Sequence, residues 1–275
     1  MHMDFPRERF GYHVVYDRDI FDAISFAEAH GFGYIVPDLM IPKFWPEQLS
    51  RDERRRIREY AQDHGVSISF HAPSDYLSLI TPYPEVMEGI MVRMRSCLDL
   101  AEDLEAERFT IHPSRPVNFA SAGGEGTYLR DHWEFYKTIL SEGITGVVEG
   151  ASSVKVCLEN DPMDRFVIEV VGDLLSAGLD LYLSWDIPKS LDPTKGEPKQ
   201  VESFFLKNIL RLREAHLHDR RPGGRYHDAL GGGDVDVAKY LRLLIPEDVH
   251  FTLEIRPRED AHRSLLYVEE LWKSL

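Results

Sequence analysis

Eight times along this chain a short apolar run gives way to a segment with helical spacing. The runs are Phe10–Val15, Tyr34–Val36, Val66–Phe70, Arg108–Ile111, Lys155–Glu159, Leu181–Trp185, Glu214–Leu217 and His250–Ile255. They are rich in β-branched and aromatic residues and bounded by Gly, Pro and Asp, the composition of buried strands. The segments between them repeat apolar residues at helical intervals, as in Ile20, Ile24, Ala27 and in Val86, Ile90, Met94, Leu98, Ala101. Helices are predicted over Ile20–His30, Arg51–His64 (capped by Ser50), Pro84–Ala106, Tyr128–Ile139 with a continuation to Ser152, Phe166–Ala177, Val201–Leu210, Val235–Leu244 and Asp260–Leu275. Strands separated by helices pair in parallel through right-handed crossovers. Eight such units in 275 residues predict an α/β fold, a single-domain (β/α)8 TIM barrel over residues 1–275, rather than an open doubly wound sheet. Ile187–Gln200, rich in Pro and Lys, reads as an exposed loop, and Asp219–Gly233, with five Gly and one Pro, reads as too flexible for regular structure.

Several function classes lose support at once. No GxGxxG or GxxxxGK[ST] motif follows a strand, which disfavours nucleotide-binding folds. The chain carries 47 acids against 32 bases, a net charge of −15, and a duplex-binding protein is usually basic. Nucleic acid is therefore not the expected partner. Cys97 and Cys157 both lie in apolar segments and suggest no disulfide framework. No apolar run approaches the roughly 20 residues of a membrane span, and Met1–Arg9 has no signal-peptide character. The expectation is a cytoplasmic protein acting on a small molecule without a membrane, compatible with a homo-oligomer.

Six of the runs end in a side chain able to hold a metal. In chain order these are His71, His112, Glu159, Asp186, His216 and Glu254. In a parallel barrel the strand ends converge on one rim, so these groups would face each other there. A set this rich in His favours zinc or manganese over magnesium, although magnesium is admissible. One or two ions are expected.

The strand tips read Gly11-Tyr12-His13-Val14, Phe70-His71-Ala72-Pro73, Ile111-His112-Pro113, Leu158-Glu159-Asn160, Trp185-Asp186, His216-Leu217-His218-Asp219, His227 before Leu230-Gly231-Gly232-Gly233, and Leu253-Glu254. In order and residue type this series resembles the xylose isomerase-like TIM barrel superfamily, which includes endonuclease IV and sugar-phosphate isomerases and epimerases. The resemblance implies that Glu159, Asp186, His216 and Glu254 hold one divalent metal. It further implies that His71 and His112 hold a second, sharing Glu159, as in the endonuclease IV branch. The chain also departs from that branch. A third zinc there takes a His three residues after the strand-six Asp and an Asp-x-His pair. Here those positions are Lys189 and Arg225-Tyr226-His227, so no third metal is expected. The epimerase branch also expects His where Lys189 stands.

The leading expectation is a metal-dependent isomerase or epimerase of a small sugar or sugar phosphate, working through an enediolate with Glu159 and Glu254 as acid and base. The alternative is an endonuclease IV-like two-metal phosphoesterase, acting on abasic DNA or a small phosphoester, without the third zinc. A non-catalytic barrel that keeps the metal is a third class. Substrate-side candidates are His13, Lys189, Arg225 and His227. Lys189 and Arg225 would bind a phosphate or carboxylate, with Arg220, Arg221, Arg256 and Arg258 nearby and with N–H donors from Gly231–Gly233. The competing reading is that these Arg pair with acids. His13 is otherwise a packed barrel residue. His218 is read as structural, and Asp219 as a brace for its loop.

Overall fold

The computed structural model describes residues 5–74, 76–115, 129, 131–221 and 225–274, with Arg225 described by its backbone alone. The predicted helix start at Tyr128 and most of the Pro113–Gly126 connection lie outside the described residues.

Nine parallel strands form one sheet. They are β1 (Phe10–Val14), β2 (Tyr34–Pro37), β3 (Ser67–Ile68), β4 (Phe70–His71), β5 (Arg108–Ile111), β6 (Lys155–Glu159), β7 (Tyr182–Asp186), β8 (Leu212–Leu217) and, after two strands outside this sheet, β11 (His250–Leu253). Their order is β3-β2-β1-β11-β8-β7-β6-β5-β4. The two ends of that order are the halves of one predicted strand, broken only at Ser69. Ser69 N–H donates to the Ile35 carbonyl at 2.9 Å, and Leu39 N–H donates to the His71 carbonyl at 2.9 Å. Those bonds join the two edges and close the barrel.

Among the described residues the α-helices are α1 (Ile20–His30), α2 (Arg51–Asp63), α3 (Pro84–Asp103), α4 (Trp133–Gly150), α5 (Arg165–Ser176), α6 (Ile187–Ser190), α7 (Pro198–Lys207), α8 (Val237–Leu244) and α9 (Arg258–Trp272). Several begin where a short polar side chain satisfies a free N–H of the first turn: Asp19 for Asp22, Ser50 for Glu53, Asp164 for Val167 and Asp236 for Lys239. Gly31, at φ 76°, ends α1 in the left-handed conformation that a side chain would resist.

The alternation of strand residues divides the core in two. Outward residues meet the helices: Trp185 stacks on Phe205 of α7 with ring centroids 4.9 Å apart and meets Tyr240 of α8 edge-on. Burying a side chain of this kind contributes roughly 2–3 kcal/mol. Inward residues are mostly polar. At the floor the Tyr34 ring lies across the barrel under the Arg108 guanidinium. Gly11 makes room for it, since a Cβ there would fall 2.4 Å from that ring. Above sit Thr110, Ser184, Glu214 and Thr252, and above those the strand tips. The polar groups predicted at the rim therefore rest on a polar column.

Two expectations require correction. Residues 187–200 are not an exposed irregular loop: Ile187, Pro188, Lys189 and Ser190 form a buried helical turn, and α7 begins at Pro198. Asp186 both ends β7 and caps that turn, which draws it down onto the rim. The 219–233 stretch is not without regular structure either. Strands β9 (Asp219–Arg221) and β10 (Arg225–Asp228) form an antiparallel ribbon, with Asp219 opposite Asp228 and Arg221 opposite Arg225. The Gly content is used instead at 231–233, where three N–H groups converge on one carboxylate. Among the described residues, no helix is long and apolar enough to cross a membrane.

Candidate functional site

Strand alternation sets the site. Glu159 and Asp186 are the last residues of β6 and β7, His216 is inward on β8, and Glu254 immediately follows β11. One ligand atom from each lies within 4.8 Å of the others, and all four residues are buried. His71 ends β4 and His112 immediately follows β5. With Glu159 they form a second group. The His71 Nε2–His112 Nε2 distance is 3.1 Å, and these nitrogens lie 3.5 and 3.2 Å from Glu159 Oε2. Tetrahedral zinc with bonds of about 2.0–2.1 Å has ligand–ligand edges of roughly 3.3 Å. The trio thus has the dimensions of three corners of such a site. All six residues expected from the strand tips are brought together at one rim.

Further groups adjoin this centre. His13 Nε2 lies 3.2 Å from Asp38 Oδ2, and its Nδ1 accepts from Arg256 at 2.9 Å. His13, Asp38 and His71 make a third compact set. His218, His227 and Glu254 make a fourth. His227 adopts φ 63°, unusual for a side-chain-bearing residue, and its Nδ1 is 2.9 Å from the Glu254 carbonyl. A cleft of about 350 Å³ is lined by His13, Asp17, Arg18, Ile255, Arg256 and Arg258 among others.

Lys189 stands inside the carboxylates. Asp186 Oδ1 accepts its backbone N–H at 2.7 Å. Its ammonium lies 2.7 Å from Glu159 Oε1, 3.1 Å from Asp186 Oδ2, 3.3 Å from Asp161 Oδ2 and 3.9 Å from Glu254 Oε2. The side chain is only 9% exposed. The expectation that Lys189 reaches for a substrate anion thus meets an ammonium already surrounded by the protein's own carboxylates. The side chain of Arg225 lies outside the described residues.

The basic cluster inferred around the rim is paired. Arg220 bonds Asp234, Arg221 meets Asp228, Arg256 bonds His13 and Glu254, and Arg258 bonds Asp17 and Asp22. The N–H groups of Gly231, Gly232 and Gly233 do not await a phosphate. All three donate to Asp219 Oδ2 at 3.0, 3.0 and 2.6 Å. The anion in that nest is internal, so the brace reading of Asp219 is the one the geometry matches.

Burial alone would keep these groups neutral, and the pairing overrides it. Glu159 is held well below the usual carboxylate range: burial opposes this, but the charges of Lys189, His112 and His216 outweigh it. Glu254 is likewise lowered, against burial, chiefly by Lys189 and His227. Lys189 is raised by Asp186, Glu159 and Glu254 despite its burial. For His71, burial pushes down, but the hydrogen bond to Glu159 and the charges of Asp38 and Glu159 lift it to about 9. Burial dominates at His227, which falls to about 4. Both candidate acid/base carboxylates are therefore ionised, the form that removes a proton.

Some participants were not anticipated. Glu214, fully buried, accepts from Thr110 and Thr252 at 2.6 Å each and from Ser184 at 3.2 Å. Its Oε2 is 3.4 Å from His216 Nε2, so it fixes the ring that offers Nδ1 to the rim. The signal was present: Glu214 is two residues before His216 and so shares its face. Asn160 clamps the next strand, donating to the Asp186 carbonyl at 2.9 Å and accepting Asp186 N–H at 2.6 Å. Asp38 and His218 also enter the site: His218, expected to be structural, lies two residues after His216 and so shares its face, with Nε2 3.3 Å from Asp186 Oδ2, whereas Asp38 belongs to no periodic pattern that singles it out.

By donor chemistry and spacing the His71–His112–Glu159 trio fits a divalent ion. In the neighbouring set, His216 Nδ1 and Glu254 Oε2 are buried without a hydrogen-bond partner, 3.4 Å apart and outside hydrogen-bond geometry.

Residues 24–271 match the family model described as Xylose isomerase-like TIM barrel. No curated protein matches the sequence. Among solved structures the chain is similar to a D-tagatose 3-epimerase-like protein, with TM-score 0.76, 21% identity and 96% of each chain covered. It is also similar to a Thermus thermophilus protein soaked with ZnCl2, with TM-score 0.70, 21% identity, and 96% of this chain and 97% of that one covered. A third is the 3-keto-D-glucoside 4-epimerase of E. coli, with TM-score 0.69, 13% identity, and 95% and 99% covered. At these identities the likeness is one of fold.

Proposed function

The chain belongs to the xylose isomerase-like TIM barrel family, and from that premise we propose that it is a metal-dependent isomerase or epimerase of a small sugar or sugar phosphate. The observation that carries the reading is the pair of buried, ionised carboxylates Glu159 and Glu254. They stand on either side of the β7–β8 pair, and each has an oxygen 3.3–3.4 Å from the same His216 nitrogen. A sugar carbon bearing a hydroxyl next to a carbonyl has a proton that such a base removes. In this reading one ionised carboxylate takes that proton, leaving an enediolate, and the other first takes up a proton from solvent and then delivers it to the enediolate from its own side, while the first releases its proton back to solvent. Return to the same carbon from the opposite face inverts it, and return to the neighbouring carbon exchanges aldose and ketose. A divalent ion, zinc or manganese by its donors, would polarise the carbonyl and hydroxyl when bound by Glu159, Asp186, His216 and Glu254 or by His71, His112 and Glu159. Glu214 and Asn160 hold the surrounding side chains in place. His13, which lines the cleft, and His227, whose Nδ1 lies 2.9 Å from the Glu254 carbonyl, are proposed to meet substrate hydroxyls. The substrate class draws support from the similarity to proteins named as D-tagatose 3-epimerase-like and as 3-keto-D-glucoside 4-epimerase.

The test is solvent exchange. Ketoses and their phosphates, incubated with manganese-loaded protein in deuterium oxide, should gain deuterium beside the carbonyl by NMR. Glu159→Gln and Glu254→Gln should each reduce this by roughly 10²–10⁴-fold. One observation favours a second reading, a two-metal phosphoesterase: the tetrahedral dimensions of the His71–His112–Glu159 trio. Hydrolysis of small phosphoesters or abasic DNA without deuterium uptake by any sugar would replace the first reading with the second.

A further inference from the structure

We propose that Lys189 is a tethered cation that fills the Glu159–Asp186–His216–Glu254 set in place of a metal, so that this chain holds a single divalent ion, on His71, His112 and Glu159. The proposal concerns which cation sits where, and it stands whichever reaction the rim performs.

Three of the four ligands in the first set have an oxygen within 3.9 Å of the Lys189 ammonium. The fourth carboxylate around it, Asp161, is at 3.3 Å. This position is built by the backbone. Lys189 is the third residue of a helical turn capped by Asp186, and Ile187, Pro188 and Ser190 are buried around it. The ammonium is thereby aimed back at the residue that caps the turn. Both oxygens of Asp186 are already engaged within the protein. Its Oδ1 accepts Lys189 N–H at 2.7 Å, and its Oδ2 lies 3.1 Å from the ammonium and 3.3 Å from His218 Nε2. A metal bound to the same oxygens would need bonds of roughly 2.0–2.2 Å. It would then lie almost on top of an ammonium that is 2.7 Å from one of them. Two cations cannot share that space.

Glu159 resolves the competition with its two oxygens. Oε1 takes the ammonium, whereas Oε2 is the atom 3.2 Å from His112 and 3.5 Å from His71. The trio is therefore left intact on the side away from Lys189. It comprises one carboxylate and two imidazoles, a donor set suited to a divalent ion.

The experiment counts metal. Protein stripped with chelator is loaded with zinc, desalted and assayed for bound metal, with calorimetric titration alongside. Wild type should bind one equivalent per chain, Lys189→Met two, the His71→Ala/His112→Ala double variant none, and the triple variant one. Two equivalents in wild type, none in wild type, or no gain in Lys189→Met overturns the proposal. A second measurement needs no variant. Acetic anhydride labelling of wild type, read by mass spectrometry, should leave Lys189 unmodified both with and without zinc while exposed lysines react. Labelling of Lys189 that rises on zinc saturation would mean that the metal expels the ammonium, and the assignment would fail.

Discussion

Glu214→Gln removes a charge from the middle of the barrel while keeping its shape. Two hydroxyls, from Thr110 and Thr252, donate to the carboxylate at 2.6 Å, and Ser184 at 3.2 Å. A hydrogen bond to a charged group contributes about 1.5–3 kcal/mol, and a neutral one about half as much. Converting the two short bonds to neutral ones thus costs about 2–3 kcal/mol. His216 loses its counter-charge at 3.4 Å as well, which brings the expected loss to about 3–4 kcal/mol, large against a total of roughly 5–15. Urea unfolding followed by circular dichroism, in chelator at pH 7, measures it. The pH dependence supplies a second check. Burial would raise the Glu214 carboxyl, but His216 and Arg108, with the hydrogen bond from Thr110, hold it well below the ordinary range. A depressed carboxyl contributes stability that is present above its unfolded pKa of about 4.3 and is lost as pH falls toward the folded value. The gap between wild type and variant should therefore narrow below about pH 4.3. A stability change under about 0.5 kcal/mol at pH 7, or a gap that does not narrow in acid, would refute the reasoning.

Asp219→Ala should strip the acceptor from Gly231, Gly232, Gly233, Val235 and Arg220 N–H groups. About 3 kcal/mol of stability should go with it, read by urea unfolding, with faster amide exchange confined to 231–235. His250 is lowered to about 4 by burial and the charge of Arg108. A His depressed in the fold is neutral there while the unfolded chain binds its proton below about pH 6.5. Wild-type stability should therefore decline as pH falls from about 6.5 toward 4, and His250→Gln should show a shallower decline over that window.

The barrel was legible because its signal is repeated: each strand is a short apolar run, each is followed by a helical period, and the candidate ligand residues end the runs. His71, His112, Glu159, Asp186, His216 and Glu254 could be named because a strand end is a position a sequence displays. Direction was less legible. Lys189 shows its charge in the sequence, but which way the ammonium points depends on Asp186 capping a one-turn helix, and Pro and Lys in that stretch suggest a loop. Gly231–Gly233 show their freedom to offer N–H groups, whereas the acceptor, Asp219, lies twelve to fourteen residues earlier and no local pattern joins them. Glu214 was hidden for the opposite reason. An acid inside an apolar run reads as an interruption until its neighbours across the barrel, Thr110 and Thr252, are in place.

The inward column then follows from charge. Glu159, Asp161, Asp186 and Glu254 surround one small volume, and four ionised carboxylates without a cation would repel strongly at low dielectric. A barrel that relied on metal alone to offset them would fold only as far as the metal supply allowed. Lys189 supplies one positive charge with the chain itself, and its place three residues after Asp186 ensures that it arrives with the strand it neutralises. Glu159 can then keep one oxygen toward the two imidazoles. On this argument the departure at Lys189 converts a centre that would need two ions into one that needs a single ion and an ammonium.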